Sequence, residues 1–155
     1  MGLGRHGEQI EIYFRGTDLL CLQETWSAKI ILMKGYYAHI SPGQKVSTLG
    51  RLAGGLATYI SHKSNISAEI IEGAPSNLLV LLLRNLRLLD RQSHCLLINC
   101  YLRGQGAEKR REVGMTIKYL EMLFMKYADY EVIIAGDLNL RDLGLNHKMS
   151  AAAAS

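Results

Sequence analysis

Two stretches of this chain end an apolar run abruptly in carboxylate and amide side chains, and these are the residues equipped for chemistry. LLCLQETW places Gln23 and Glu24 directly after Leu19 to Leu22, and VIIAGDLNL places Asp137 and Asn139 just past Val132 to Ala135. A carboxylate fixed at the rim of a sheet suits a hard divalent cation such as Mg2+ or Mn2+, which takes oxygen ligands and keeps waters for a substrate phosphate. Glu24 is the candidate ligand. Asp137 is placed to orient or deprotonate a water for in-line attack on phosphorus. Asn139, two residues on and on the same side of an extended chain, is placed to donate its amide to a phosphoryl oxygen. Together they fit phosphoester hydrolysis. The same residues also read as solvated strand ends, since Gly-Asp-x-Asn is ordinary turn chemistry.

The elements that must position these residues are short. Apolar segments bounded by Gly, Asn, Ser, Pro or Asp predict strands over Leu19 to Gln23, Gly55 to Ser61, Ile66 to Glu72, Leu78 to Arg84, His94 to Tyr101 and Glu131 to Ala135. The alternation in Ala68-Glu69-Ile70-Ile71-Glu72 gives one wet face. LLVLLL and CLLIN are nearly continuous, as in central strands covered on both sides. From Ala107 to Tyr127 the period changes. Val113, Ile117, Leu120, Phe124 and Tyr127 recur at helical spacing and predict an apolar stripe, with Lys109, Arg110, Arg111, Lys118 and Lys126 on other faces. A short glycine-capped helix is expected from Arg5 to Arg15, ending at Gly16. A helix thus delivers the chain to a buried strand whose carboxyl end carries polar residues, where open α/β sheets place their chemistry.

LLCLQETW, GGLATYIS, LLINCYL and VIIAGDLNL, in this order, resemble the endonuclease/exonuclease/phosphatase family of metal-dependent phosphoesterases. Within it, the spacing and GRLAGGLATYIS are most similar to the endonuclease domains of non-LTR (LINE-like) retrotransposons, which nick target DNA. The likeness runs from about Asp18 to Asn139. It implies an α/β (α+β) chain forming a partial four-layered α/β sandwich, a mixed sheet with flanking helices. It implies that Glu24 binds the metal, that Asp137 positions the attacking water, that Asn139 contacts the phosphate and that Tyr101 stands near the scissile phosphate. Without the family, Tyr101 reads equally as a strand-end aromatic with a wet hydroxyl. Gly54 and Gly55 correspond to a strand-opening pair that serves backbone geometry.

The departures are specific. Members begin with a strand that contributes an asparagine to the metal site, and MGLGRHGEQ has none; they end in a Ser-Asp-His segment that is not present here. His147, ten residues after Asp137, lacks the strand context to replace that histidine, and Leu102 stands where the family often has proline. The expectation is a domain truncated at both ends: one partial domain over 1–141, a disordered tail over 142–155, and a longer parent polyprotein or a reverse transcriptase domain as partner.

Composition narrows the classes. The 155 residues are 48% hydrophobic and 21% charged, with two prolines, which fits one globular domain and excludes wholesale disorder. Eighteen Lys and Arg against fourteen Asp and Glu leave +4, a mild basic excess. Arg103, Lys109, Arg110 and Arg111 form a basic cluster that reads either as a DNA phosphate contact or as a solvated helix face. Cys21, Cys95 and Cys100 read as buried thiols in a reducing compartment, implying an intracellular protein, nuclear or cytoplasmic, and no apolar run approaches a membrane span. Scattered histidines, with Cys95 and Cys100 on opposite strand faces, argue against zinc, and the glycine pairs make no phosphate loop. The leading expectation is a Mg2+- or Mn2+-dependent endonuclease acting on DNA, weakened or inactive as this chain. The alternatives are a catalytically silent relic with weak nucleic-acid affinity, and a hydrolase of a phospholipid or inositol phosphate.

Overall fold

The apolar runs pair into two main sheets that pack face to face. In a computed structural model, which describes residues 14, 16–29, 31–45, 52–88, 91–102 and 107–139, the first sheet has the order β1, β5, β2: β1 (Leu19–Gln23) and β2 (Tyr36–Ser41) both run antiparallel to β5 (Leu56–Ser61). The second has the order β6 (Ser67–Ile70), β7 (Leu78–Leu88), β8 (Arg91–Tyr101), β9 (Glu131–Asp137). It is antiparallel from β6 to β8, and β9 joins β8 in parallel after the crossover helix α1 (Ala107–Lys126). A two-residue hairpin, β3 (Gln44–Lys45) with β4 (Leu52–Ala53), leads into β5.

Three apolar layers hold this together. Between the sheets, Leu56 and Ile60 of β5 meet Leu79, Leu81 and Leu83 of β7 and Cys95 and Leu97 of β8. On the other face of the second sheet, Leu78, Val80, Leu96, Ile98 and Cys100 are covered by Val113 and Leu123 of α1. The outer face of the first sheet packs Leu20, Ala57 and Tyr59 against Met33. The continuous apolar segments of β7 and β8 are therefore covered on both faces, and Cys95 and Cys100 lie in different layers. Burial pushes the Cys100 thiol up to about 11.

The helix differs from its expected stripe. Ile117 and Phe124 are exposed, and the face that packs carries Val113, Thr116, Leu120, Leu123 and Tyr127. A polar residue rotates it: the Thr116 hydroxyl is buried and donates to Asn77 Oδ1 at 3.2 Å, while Asn77 Nδ2 donates back at 2.9 Å. Three strands, β2, β3 and β4, were not expected, and β7 and β8 extend to Leu88 and back from Arg91. Among the described residues α1 is the single helix. The segment from Arg5 to Arg15 and the 142–155 tail lie outside the described residues.

Gly136 is required where it stands. It lies opposite Cys100 in the parallel ladder with φ +145°, and a Cβ there would run into the Cys100 carbonyl oxygen and come within 2.9 Å of the Cys100 nitrogen. Gly136→Ala is expected to lower stability by about 2–4 kcal/mol, read as a drop in the urea midpoint, by parting β9 from β8. A neutral substitution would contradict this register. The raised Cys100 thiol has a pH signature with a defined sign. The folded state holds its proton above the ordinary value of about 8.5, so stability falls as pH rises from there toward about 11. Cys100→Ala should lessen that decline in urea titrations at alkaline pH, with the Cys21 and Cys95 thiols, pushed up in the same direction by burial, keeping part of it.

Candidate active site

The carboxyl ends of β1, β8 and β9 emerge at one rim. β8 and β9 are parallel and pair Tyr101 with Asp137, while β1 packs across both. The link between the sheets is made by side chains. The Tyr101 hydroxyl donates to Glu24 Oε1 at 2.5 Å, so the tyrosine is tied to the expected metal ligand and is not simply a wet strand end. Asp137 and Glu24 are both exposed there. Glu24, Tyr101 and Asp137 are thus brought to one end of the sandwich.

Glu24 is aimed by unusual backbone. It has φ +52°, and Trp26 has φ +48°. Left-handed conformations cost non-glycine residues about 1–2 kcal/mol and persist only where surroundings impose them. Here the imposing surroundings are Gly54 and Gly55: the Thr25 amide donates to the Gly55 carbonyl at 3.1 Å and the Trp26 amide to Gly54 at 2.9 Å. Gly55, with φ +90°, has no room for a side chain, since a Cβ would strike the Thr25 hydroxyl and lie 2.9 Å from the Gly43 nitrogen. The strand-opening glycines therefore serve the geometry of the Glu24 loop.

The Gly-Asp-x-Asn segment departs from the extended chain expected of it. Asn139 has φ +44°, its amide nitrogen donates to Asp137 Oδ1 at 3.0 Å, and its Nδ2 donates to the Leu102 carbonyl at 2.6 Å. This is a side-chain-to-backbone turn, so Asn139 is turned back onto β8 and not aligned beside Asp137. A second amide hydrogen of Nδ2 remains for an acceptor at the rim. Of the basic cluster, Arg110 and Arg111 are exposed on the first turns of α1, while Arg103 and the Lys109 side chain lie outside the described residues.

One residue of the site went unrecognised in the sequence. Asn99 is completely buried in β8, two residues before Tyr101. Its Nδ2 donates to the carbonyls of Ala57 (3.0 Å) and Leu22 (3.2 Å) and lies 3.2 Å from the Thr58 hydroxyl, and its Oδ1 accepts from Gln23 Nε2 at 2.8 Å. An amide inside the apolar run LLINC was the available signal, because a buried polar group demands partners. It bolts the last residues of β1 onto β8, next to Glu24 and Tyr101.

No family model matches the sequence, and no curated protein matches it. Among solved structures the chain is similar to an AP endonuclease from Leishmania major, with TM-score 0.63 and 19% identity over 88% of this chain and 51% of that one. The fold is that of the endonuclease/exonuclease/phosphatase family. This chain spans about half the length of that AP endonuclease. No helix among the described residues is long and apolar enough to cross a membrane.

The donor set suits a lightly ligated hard cation. Among the described residues no three His, Cys, Asp or Glu side chains gather into a cage. Mg2+ ordinarily binds through one or two carboxylates and keeps its waters, and an exposed carboxylate on an imposed backbone meets that need. Asn99→Ala is expected to destabilise the fold by about 2–4 kcal/mol, because its loss strands several buried groups. Gln23→Ala, whose place water can take, should cost about 1 kcal/mol. Urea unfolding of the two variants measures the difference; equal small effects would remove Asn99 from the centre of the site.

Proposed function

We infer that this chain carries the catalytic rim of a divalent-metal-dependent phosphodiesterase acting on DNA, of the kind that retrotransposon endonuclease domains contribute to a longer parent protein. The observation that carries the reading is the Tyr101–Glu24 hydrogen bond, which ties the end of β1 to the end of β8 beside Asp137. The fold likeness to an AP endonuclease supports a nuclease over other phosphoester chemistry.

Each residue then has a task. Glu24 would hold Mg2+ or Mn2+ through its carboxylate, with Tyr101 fixing the orientation of that carboxylate. A cation bound there supplies neutralisation of charge on the phosphoryl oxygens. Asp137, at the end of a strand locked to β8, takes a proton from the attacking water, and its Oδ1 is oriented by the Asn139 amide. Asn139 keeps one side-chain hydrogen for a phosphoryl oxygen.

A second reading is a catalytically silent relic with weak nucleic-acid affinity. It is favoured by the turn at Asn139, whose Nδ2 is engaged by the Leu102 carbonyl. Removing one preorganised group commonly costs about 10²–10³ in rate. Nicking of supercoiled plasmid and of a duplex carrying an AP site, in Mg2+ and in EDTA, separates the two. The expected result is slow, metal-dependent nicking that falls about 10²-fold or more in both Glu24→Gln and Asp137→Asn, with a smaller loss in Tyr101→Phe. Equal background in every sample would leave the relic.

A further inference from the structure

The rim also holds a cleft of about 710 Å³ that the catalytic reading does not use. One boundary is the β3–β4 hairpin with Lys45, and another is the start of α1 with Arg111, Glu112 and Met115. Asn77 and Tyr101 line it from the ends of the second sheet. Tyr101 therefore belongs to both the cleft and the Glu24 site.

Its walls are fixed in advance. Asn77 has both side-chain polar atoms engaged by Thr116 of α1, and its carbonyl accepts from the Tyr101 amide at 3.0 Å. The base of the hairpin is pinned at Gly55, whose carbonyl holds the Thr25 amide beside Glu24. The cleft thus needs no rearrangement to stay open next to the site. Cavities of about 300–1,000 Å³ hold drug-sized molecules, so this one has room for about one or two nucleotides.

Its charges point to a polyanion. Lys45 and Arg111 come from different elements, and neither is in a salt bridge among the described residues; Arg84 with Glu69, on a different part of the second sheet, makes the one such pair there. Against these two cations stands one carboxylate, Glu112, leaving a net charge of +1 among the charged groups that line the cleft. That balance predicts a weak, salt-sensitive contact.

We propose that this cleft receives the stretch of nucleic-acid strand that flanks the scissile phosphate, with Lys45 and Arg111 neutralising its phosphates. The proposal rests on the phosphodiesterase reading of the rim and assigns the cleft its substrate-positioning part. Glu112 limits affinity by its repulsion.

Binding of a fluorescein-labelled DNA duplex, followed by anisotropy in EDTA over a range of salt, tests it without any cleavage. Lys45→Glu and Arg111→Glu should each weaken binding roughly three- to tenfold and lower the salt slope by about 1, whereas Glu112→Gln should tighten binding. Arg84→Glu makes the same change in net charge about 20 Å along β7 from the rim, by strand rise, and should leave binding nearly unchanged. Unchanged melting temperatures certify the folds. If Arg84→Glu weakens binding as much as Lys45→Glu, or the unaltered protein binds no DNA, the cleft assignment is overturned. If binding follows the cleft residues while plasmid nicking never occurs, the catalytic reading fails and the cleft stands.

Discussion

The rim exists because two sheets are held in one register, and the interaction that sets this register is the buried Asn99 amide. Leucine and isoleucine side chains fill the space between the sheets, but apolar contacts are non-directional and tolerate sliding. Asn99 adds direction: its nitrogen donates to carbonyls of β1 and β5, and its oxygen takes the amide of Gln23. A slide of one sheet over the other would carry these partners away and leave this amide unpaired in the core. Glu24 reaches Tyr101 because Gln23 is already bonded to Asn99.

A second constraint acts on the backbone. Left-handed residues at Glu24, Trp26 and Asn139 surround the rim, and each is imposed by a neighbour: the glycine pair for the first two, the Asp137 carboxylate and the Leu102 carbonyl for the third. Strain of this kind gathers where a structure must hold side chains against their local preference. Gly136 serves the same end from the opposite side, letting β9 lie so close to Cys100 that Asp137 falls level with Tyr101.

Much of this was legible in the sequence. The site strands announced themselves as apolar runs ending in polar groups, and the motif order pointed to the fold that the comparison with the AP endonuclease bears out. What escaped had physical reasons. The strands β2, β3 and β4 lie in a stretch rich in polar residues, and two of them are two residues long, too short for any periodicity. The helix stripe was displaced by Thr116, whose burial depends on a partner 39 residues away. Asn99 was hidden for the same reason, since its partners are on strands more than 40 residues off and an amide in an apolar run carries no local pattern. Asn139 kept both of its readings, because an Asp two residues before an Asn serves a turn as readily as a phosphate.

The central claim is that Glu24, Tyr101 and Asp137 share one rim, with the proposed cation held at Glu24. Paramagnetic broadening by Mn2+ in an NMR spectrum of the labelled chain measures that most directly. The account predicts selective loss of the amide signals around 24–25, 101–102 and 137–139 at low Mn2+, reversed by EDTA and prevented by Glu24→Gln. Broadening confined to one of these three segments, or spread over acidic residues elsewhere such as Glu69 and Asp129, would contradict it.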